Sequence, residues 1–348
     1  MSIYVDIEKA LGSFRLRVKL QGGDEVLALL GASGCGKSLT LKCIAGVEKP
    51  DRGRIEVDGV TLFDSDRRVN LTPQERRTGL MFQNYALFPN MTVLENLRSG
   101  SLREKDKVKR AESVEQVMDM LGLRELADHY PSQLSGGQQQ RTALARILVS
   151  APRILLLDEP FSALDSHLRF HLEREMLHVL RGFGKTALIV SHDRDEVFRL
   201  ADSVAVMDRG QVEVIGEKRR VFTRPETRAA AILTGCKNIS PIEKLAPGRV
   251  RATGWGVELE TAEDAGDADF VGIRMHDVGV GVGENSLDCA VVDEIENPFS
   301  VTVMLRARDG ADSFGMELDK ERWRQLRAQR LTVNIPRGSI LLLKGDAR

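Results

Sequence analysis

Cysteine is scarce in this sequence. Cys35, Cys43, Cys236 and Cys289 are scattered through 348 residues and never stand in CxxC spacing. That excludes a disulfide framework or a zinc site and reads as the reduced thiols of a cytosolic protein. Excess charge of either sign is also missing. Fifty Lys and Arg oppose 51 Asp and Glu, a net charge of −1, which excludes bulk attraction to nucleic acid or anionic lipid. Long apolar runs are absent as well. Runs such as "ILLL" at Ile154–Leu157 fall far short of the roughly 20 residues needed to span a bilayer. The opening "MSIYVDIEKA" lacks the basic-then-apolar pattern of an export signal. Work at a membrane would require another chain to do the spanning.

What is present divides the chain in two. Through about residue 232, short leucine-rich or β-branched runs ("EVLALLG", "RILLLDEP", "TALIVSH", "SVAVMDRG") alternate with longer helical patterns. This predicts an α/β fold around a largely parallel sheet. Within it, 92–150 is charged and helical in period, with Val108, Ala111, Val114, Val117, Met118 and Leu121 on one expected face. It reads as a helical insertion. From 233 to 348 short alternating runs are separated by Gly, Asp, Asn and Pro. They predict a second, all-β domain, a small OB-like barrel or a sandwich.

The first chemical motif is "GASGCGKS", Gly31–Ser38, placed between a strand and a helix. It fits G-x-x-x-x-G-K-[ST] in the required context. Gly31, Gly34 and Gly36 let the backbone curl so that successive N–H groups, those of Ala32, Ser33, Cys35 and Leu39 included, face phosphate oxygens. Lys37 supplies charge to the β- and γ-phosphates, and the Ser38 hydroxyl suits Mg²⁺. The second motif, "ILLLDEP", runs a buried strand into Asp158, placed for the metal, and Glu159, placed for an attacking water. Together they state nucleoside triphosphate binding and hydrolysis.

"LSGGQ", Leu134–Gln138, raises a separate question. Ser135, Gly136, Gly137 and Gln138 open a helix and form a second anion-binding turn without a lysine. Such a turn can cap the γ-phosphate of a nucleotide held by another copy of the chain. That predicts a homodimer with two shared sites.

In this order the motifs resemble the ATP-binding subunits of ABC transporters, over about residues 3–232. The resemblance implies a P-loop nucleotide-binding domain with a helical subdomain, which binds ATP and Mg²⁺. It implies roles for further residues. His192 in "VSHD" is similar to the switch histidine that contacts the γ-phosphate. Gln83 in "MFQNYALFP" is similar to the hinge glutamine that also approaches the metal. Asp165 in "SALD" matches the loop that crosses the dimer seam. The family stacks an aromatic ring on adenine shortly before the phosphate loop. Here that position falls at Leu11, so either Phe14 stacks or an aliphatic contact serves. His129, His167, His171, His178 and His276 carry no comparable signal and read as structural. The apolar run around Tyr85, Leu87, Phe88, Met91 and Val93 is either a local core or a groove that receives a helix of a membrane subunit.

A single cassette and a short insertion fit an importer subunit at the cytoplasmic face of the membrane. Its partners would be permease subunits and a periplasmic or extracellular solute-binding protein, with no nucleic acid. A soluble ABC ATPase outside transport is the alternative. "VGIRMHDV", "TGCKNISPI" and "ATGWGVEL" make the C-terminal part similar to TOBE/MOP-like accessory domains of molybdate- and sulfate-type importers. The resemblance implies molybdate as cargo, with sulfate or thiosulfate, a polyamine or iron as alternatives. The module either senses an oxyanion, with Lys237 and Asn238 the residues to watch, or only supports the dimer.

Overall fold

The computed structural model describes residues 2–162 and 166–345, without the side chains of residues 166–168. The chain folds into two compact units, Met1–Lys218 and Arg219–Arg348. The division falls at Lys218 instead of 232 because the segment after it is tied forward. Arg228 N–H donates to the Lys344 carbonyl, and Lys344 N–H to that of Glu226.

The first unit holds strands β1 (Ile3–Leu11), β2 (Phe14–Gly22), β3 (Val26–Gly31), β4 (Arg52–Val57), β5 (Val60–Asp64), β6 (Val69–Asn70), β7 (Thr78–Met81), β8 (Ile154–Asp158), β9 (Ala187–Ser191), β10 (Ser203–Asp208) and β11 (Gln211–Glu217). Its helices are α1 (Lys37–Ala45), α2 (Pro73–Arg76), α3 (Val93–Gly100), α4 (Lys107–Met120), α5 (Gly136–Leu148), α6 (Ser166–Phe183) and α7 (Arg194–Leu200).

One sheet runs β6-β5-β4-β1-β2-β11-β10-β3-β9-β8-β7. β10-β3-β9-β8-β7 is parallel throughout, and β11 meets β2 in a short parallel pairing at Gln211 and Arg17, so the expected largely parallel sheet is a parallel half joined to a mostly antiparallel one. Chain length between strands decides this. Two-residue turns at Gly12 and Asp58–Gly59 can only return antiparallel, whereas β3, β8 and β9 are linked through helices. In β3, β8 and β9 every residue is buried, as in strands covered on both faces. All three therefore end at one sheet edge, where the motif residues follow them.

The insertion forms α3, α4 and α5. Val114, Val117, Met118 and Leu121 are buried as the periodicity expects, but Val108 is 65% exposed and Ala111 is exposed too. The apolar stripe is one turn shorter than its sequence, since α4 starts in solvent, capped by Asp106.

The second unit begins with α8 (Lys218–Thr223) and α9 (Arg228–Leu233) and continues as β12 (Asn238–Ala246), β13 (Arg249–Ala252), β14 (Val257–Glu260), β15 (Phe270–Ile273), β16 (Gly279–Val280), β17 (Leu287–Glu296), β18 (Ser300–Arg306), β19 (Phe314–Asp319), β20 (Arg330–Asn334) and β21 (Leu341–Leu343). Two five-stranded sheets, β14-β13-β12-β15-β21 and β16-β20-β17-β18-β19, enclose one barrel-like core. A short helix, α10 (Lys320–Leu326), interrupts the strand pattern. Asp319 caps it, and it delivers Trp323 to the core, where the indole N–H donates to Glu294 at 2.8 Å. Alternation alone does not reveal two turns of helix.

Candidate functional site

β3 feeds the loop Gly31–Gly36 into α1. Gly34 and Gly36 adopt φ of +81° and +105°, a conformation L side chains rarely take. Gly31 does not. It is glycine because a Cβ there would lie 2.4 Å from the Met207 carbonyl oxygen and 2.6 Å from Cys35 Sγ. Close approach of backbones, not curl, fixes that position. Gly36 begins α1 without a side-chain cap, which leaves the first N–H groups of a nine-residue helix for an anion. Ala32 and Ser33 are exposed on the loop's rim. Cys35 and Leu39 turn their side chains to the core, so only their backbones can serve a ligand. Burial pushes the Cys35 thiol up, and it stays neutral.

Lys37 folds back on the loop that it ends, donating to the carbonyls of Gly31 at 2.7 Å and Ala32 at 2.9 Å. Two neutral acceptors leave its charge uncompensated in a buried place, a setting that suits phosphate oxygens. Ser38 Oγ donates to Asp158 Oδ1 at 2.7 Å. Burial, then the neighbouring Glu159, raise the Asp158 carboxyl, against the Ser38 hydrogen bond and the charges of Lys42 and Lys37. A hydroxyl and one carboxylate are hard oxygen donors. Among the described residues no cluster of three or more His, Cys, Asp or Glu could hold an ion alone. The donor set fits Mg²⁺, which keeps water and takes phosphate oxygens as its other ligands.

Glu159 has φ of +45°, strained for a non-glycine residue and placed where strain points to function. Its N–H donates to the Val190 carbonyl at 3.0 Å. Gln83 Nε2 donates to Oε2 at 3.3 Å, while His192 Nδ1 lies 3.2 Å from Oε1. Both carboxylate oxygens are thus held by neighbours the sequence proposed, with Gln83 also reaching Ser162 Oγ at 3.3 Å.

Phe14 lines a cavity of about 600 Å³ beside the phosphate loop, together with Arg15, Arg17, Gly34 and Gln211. Leu11, 48% exposed, does not line it. Gly210 packs between two of the lining residues: its N–H donates to the Cys35 carbonyl, and a Cβ there would strike the Arg15 carbonyl oxygen at 2.1 Å.

Ser135 caps α5, and its N–H donates to Gln138 Oε1 at 2.8 Å. Gly136 and Gly137 form the first turn. Among the described residues, no hydrogen bond joins this turn to Gly31–Ser38. Asp165 lies outside the described residues.

Sequence reasoning missed two anchors. Gln140, 2% exposed, donates to the Pro160 carbonyl at 3.1 Å, and the Tyr85 hydroxyl donates to the same oxygen at 3.3 Å. Arg146 donates to the carbonyls of Tyr85 and Ala86. The only available signal was a polar residue on the apolar face of α5. The apolar run after Gln83 splits accordingly: Tyr85 and Val93 are core, whereas Phe88 and Met91 are exposed.

In the second unit, Asn238 is 4% exposed, and its amide pairs with both N–H and carbonyl of Gly315, at 2.7 Å each. It is a structural clasp, not a ligand group. Lys237 is exposed.

Comparison with known proteins agrees with this geometry. The family model for ABC transporters matches residues 15–162. The sulfate/thiosulfate import ATP-binding protein of Chromobacterium violaceum is 42% identical over 73% of this chain and 68% of its own length. The molybdenum import ATP-binding protein of Paramagnetospirillum magneticum is 36% identical over 88% of this chain and 77% of its own. Among solved structures, a dimeric ATP-binding cassette in a post-hydrolysis state with ADP and phosphate superposes with a TM-score of 0.53 at 29% identity, covering 63% of this chain and 99% of that one.

Proposed function

Because this chain belongs to the import-type ATP-binding subunits of ABC transporters, ATPases whose hydrolysis is coupled to transport, we propose that it energises an oxyanion importer, with molybdate as the cargo. The observation that carries the catalytic part of the reading is the Glu159 carboxylate, held at one oxygen by Gln83 and at the other by His192.

ATP would lie with its phosphates along Gly31–Leu39 and its adenine against Phe14. Glu159 orients a water, whose oxygen attacks the γ-phosphorus as the bond to the ADP oxygen breaks. Lys37 and His192 face the charge that develops on the transferred group. Mg²⁺, held by Ser38 and Asp158 with Gln83 nearby, would neutralise the β- and γ-phosphates. The Ser135–Gln138 turn completes the site on a second copy. The local bonding of that turn, and the dimeric state of the similar cassette, support the homodimer. Closure around two nucleotides would then be transmitted to membrane-spanning permease subunits at the cytoplasmic face. Among the described residues no helix is long and apolar enough to cross a membrane. An extracytoplasmic binding protein would deliver the cargo.

The test is ATPase activity of the chain purified with the membrane proteins it retains, with the cognate binding protein and each solute in turn. Stimulation by molybdate and tungstate alone is expected. Stimulation by sulfate, thiosulfate, iron or a polyamine would overturn the cargo and keep the importer. No membrane partner and no response to any solute would overturn the importer.

A further inference from the structure

β9 ends at Ser191, and α7 begins after Asp193, so His192 is carried on a two-residue corner. The Ser191 hydroxyl joins the two sides of this corner. Ser191 Oγ accepts the Asp193 N–H at 3.0 Å and donates to Glu196 Oε2 at 3.0 Å. Glu196 N–H in turn donates to Asp193 Oδ1 at 3.1 Å. Glu196 is 5% exposed, and its Oε1 is buried with no hydrogen-bond partner among the described residues.

The charges that face Glu196 come from α6 and from its own helix. Asp193 faces Arg169, with Nη1 3.4 Å from Oδ2, and Glu173 is paired with Arg199 at 2.5 and 3.0 Å. The two acidic neighbours thus have guanidinium partners, whereas among the described residues the Glu196 carboxyl meets only a hydroxyl. A carboxylate with one neutral donor, buried beside two other carboxylates, favours its protonated form. Burial foremost, then Asp193 and Glu173, push the Glu196 carboxyl up to about 8, against the Ser191 hydrogen bond and the Arg169 charge.

We propose that Glu196 is a positioning residue for the hydrolytic reaction: it ties Ser191 to the first turn of α7 and so sets the His192 ring against Glu159. The proposal rests on the role given above to His192. Ionised, Glu196 would add a third negative charge to the pocket behind the corner and loosen it. The turnover that depends on His192 then falls as pH rises through about 8.

The test is steady-state ATP hydrolysis by the purified full chain across pH 6.5–9.5. Glu196→Ala is expected to lower kcat about tenfold, with KM for ATP moving less than about twofold. Glu196→Gln, which keeps the shape without the charge, is expected to restore kcat and to remove the fall above about pH 8. In a His192→Ala background, Glu196→Ala should add no further loss. Wild-type kcat in Glu196→Ala, equal damage from Gln and Ala, or an additive loss in the double variant would each overturn the proposal. Wild-type hydrolysis by His192→Ala alone would instead overturn the role of His192. Should Glu196→Ala fail to fold, Ser191→Ala severs the same tie. It is expected to lower kcat and keep KM, and wild-type kcat there would refute the positioning role.

Discussion

Gln140, in the second turn of α5, donates its side-chain amide to the Pro160 carbonyl, the residue directly after Glu159. The helix that opens with Ser135 is therefore fastened to the strained corner that holds the carboxylate. Replacing Gln140 by Leu removes a buried donor and leaves the Tyr85 hydroxyl as the remaining side-chain partner of that oxygen. Hydrolysis should fall several-fold while nucleotide affinity changes little, as measured by steady-state ATPase beside fluorescent-nucleotide titration. Equal weakening of both would place Gln140 in general stability and not in the Glu159 corner.

Glu159→Gln should retain ATP binding and lose nearly all turnover, by about a hundredfold or more if the carboxylate orients water. The same shape persists and the hydrogen bonds to Gln83 and His192 can re-form, so the loss reports the charge. Full hydrolysis by this variant would remove Glu159 from the role assigned to it.

Gly31→Ala should impair nucleotide binding by a different route from Gly36→Ala. At Gly31 the new methyl meets the Met207 carbonyl, backbone against backbone, so strand β10 must shift and thermal stability should fall together with binding. At Gly36 the φ of +105° and a 2.5 Å contact with Leu16 Cδ1 strain the start of α1. That loss should appear mainly in affinity for ATP. Calorimetry with and without nucleotide separates the two.

Arg76 is 1% exposed and has no carboxylate partner among the described residues. Its guanidinium donates to the carbonyls of Cys43 at 2.7 Å, Ile44 at 2.9 Å and Leu71 at 2.9 Å, and to Asn70 Oδ1 at 2.9 Å. It closes the end of α1, where Gly46 leaves room for it. Arg76→Met should destabilise the chain by about 3 kcal/mol, since buried carbonyls lose their donors. Lower denaturant midpoints at unchanged slope would show it.

Glu196 also makes stability depend on pH. Its carboxyl is raised in the folded chain, so its neutral form is fully accommodated below the ordinary carboxylate range. The stability it contributes there is lost as pH rises towards about 8. Relative to wild type, Glu196→Gln should therefore gain in melting temperature between about pH 5 and pH 8, and not below pH 4. A gain independent of pH would contradict this linkage.

Much of the site was legible in order along the chain. A glycine-rich loop after an apolar strand, an acidic pair after "ILLL" and a Ser-Gly-Gly helix start each depend on local geometry: positive φ, helix ends and strand termini. Local chemistry writes those directly into residue type. The helical insertion and the all-β second unit were likewise visible as a change of period, because burying one face imposes a repeat of 3.6 or 2 residues.

The rest required the folded chain. Sequence could not reveal that Gly31 is set by Met207, that Gln140 and Tyr85 share one carbonyl, or that Arg76 closes α1 from the end of α2. Each is a contact between segments far apart in sequence, where a single close approach or buried acceptor selects the residue and no periodicity announces it. The apolar stripe of α4 was overread for the same reason: period shows which residues share a face, and only packing decides how far along that face the neighbours reach. Thus the sequence by itself determined which chemistry the chain carries and on which local turns. Tertiary structure alone decided which side chains hold Glu159, because hydrogen bonds between distant segments exist only once the sheet has brought the ends of β8 and β9 to one edge.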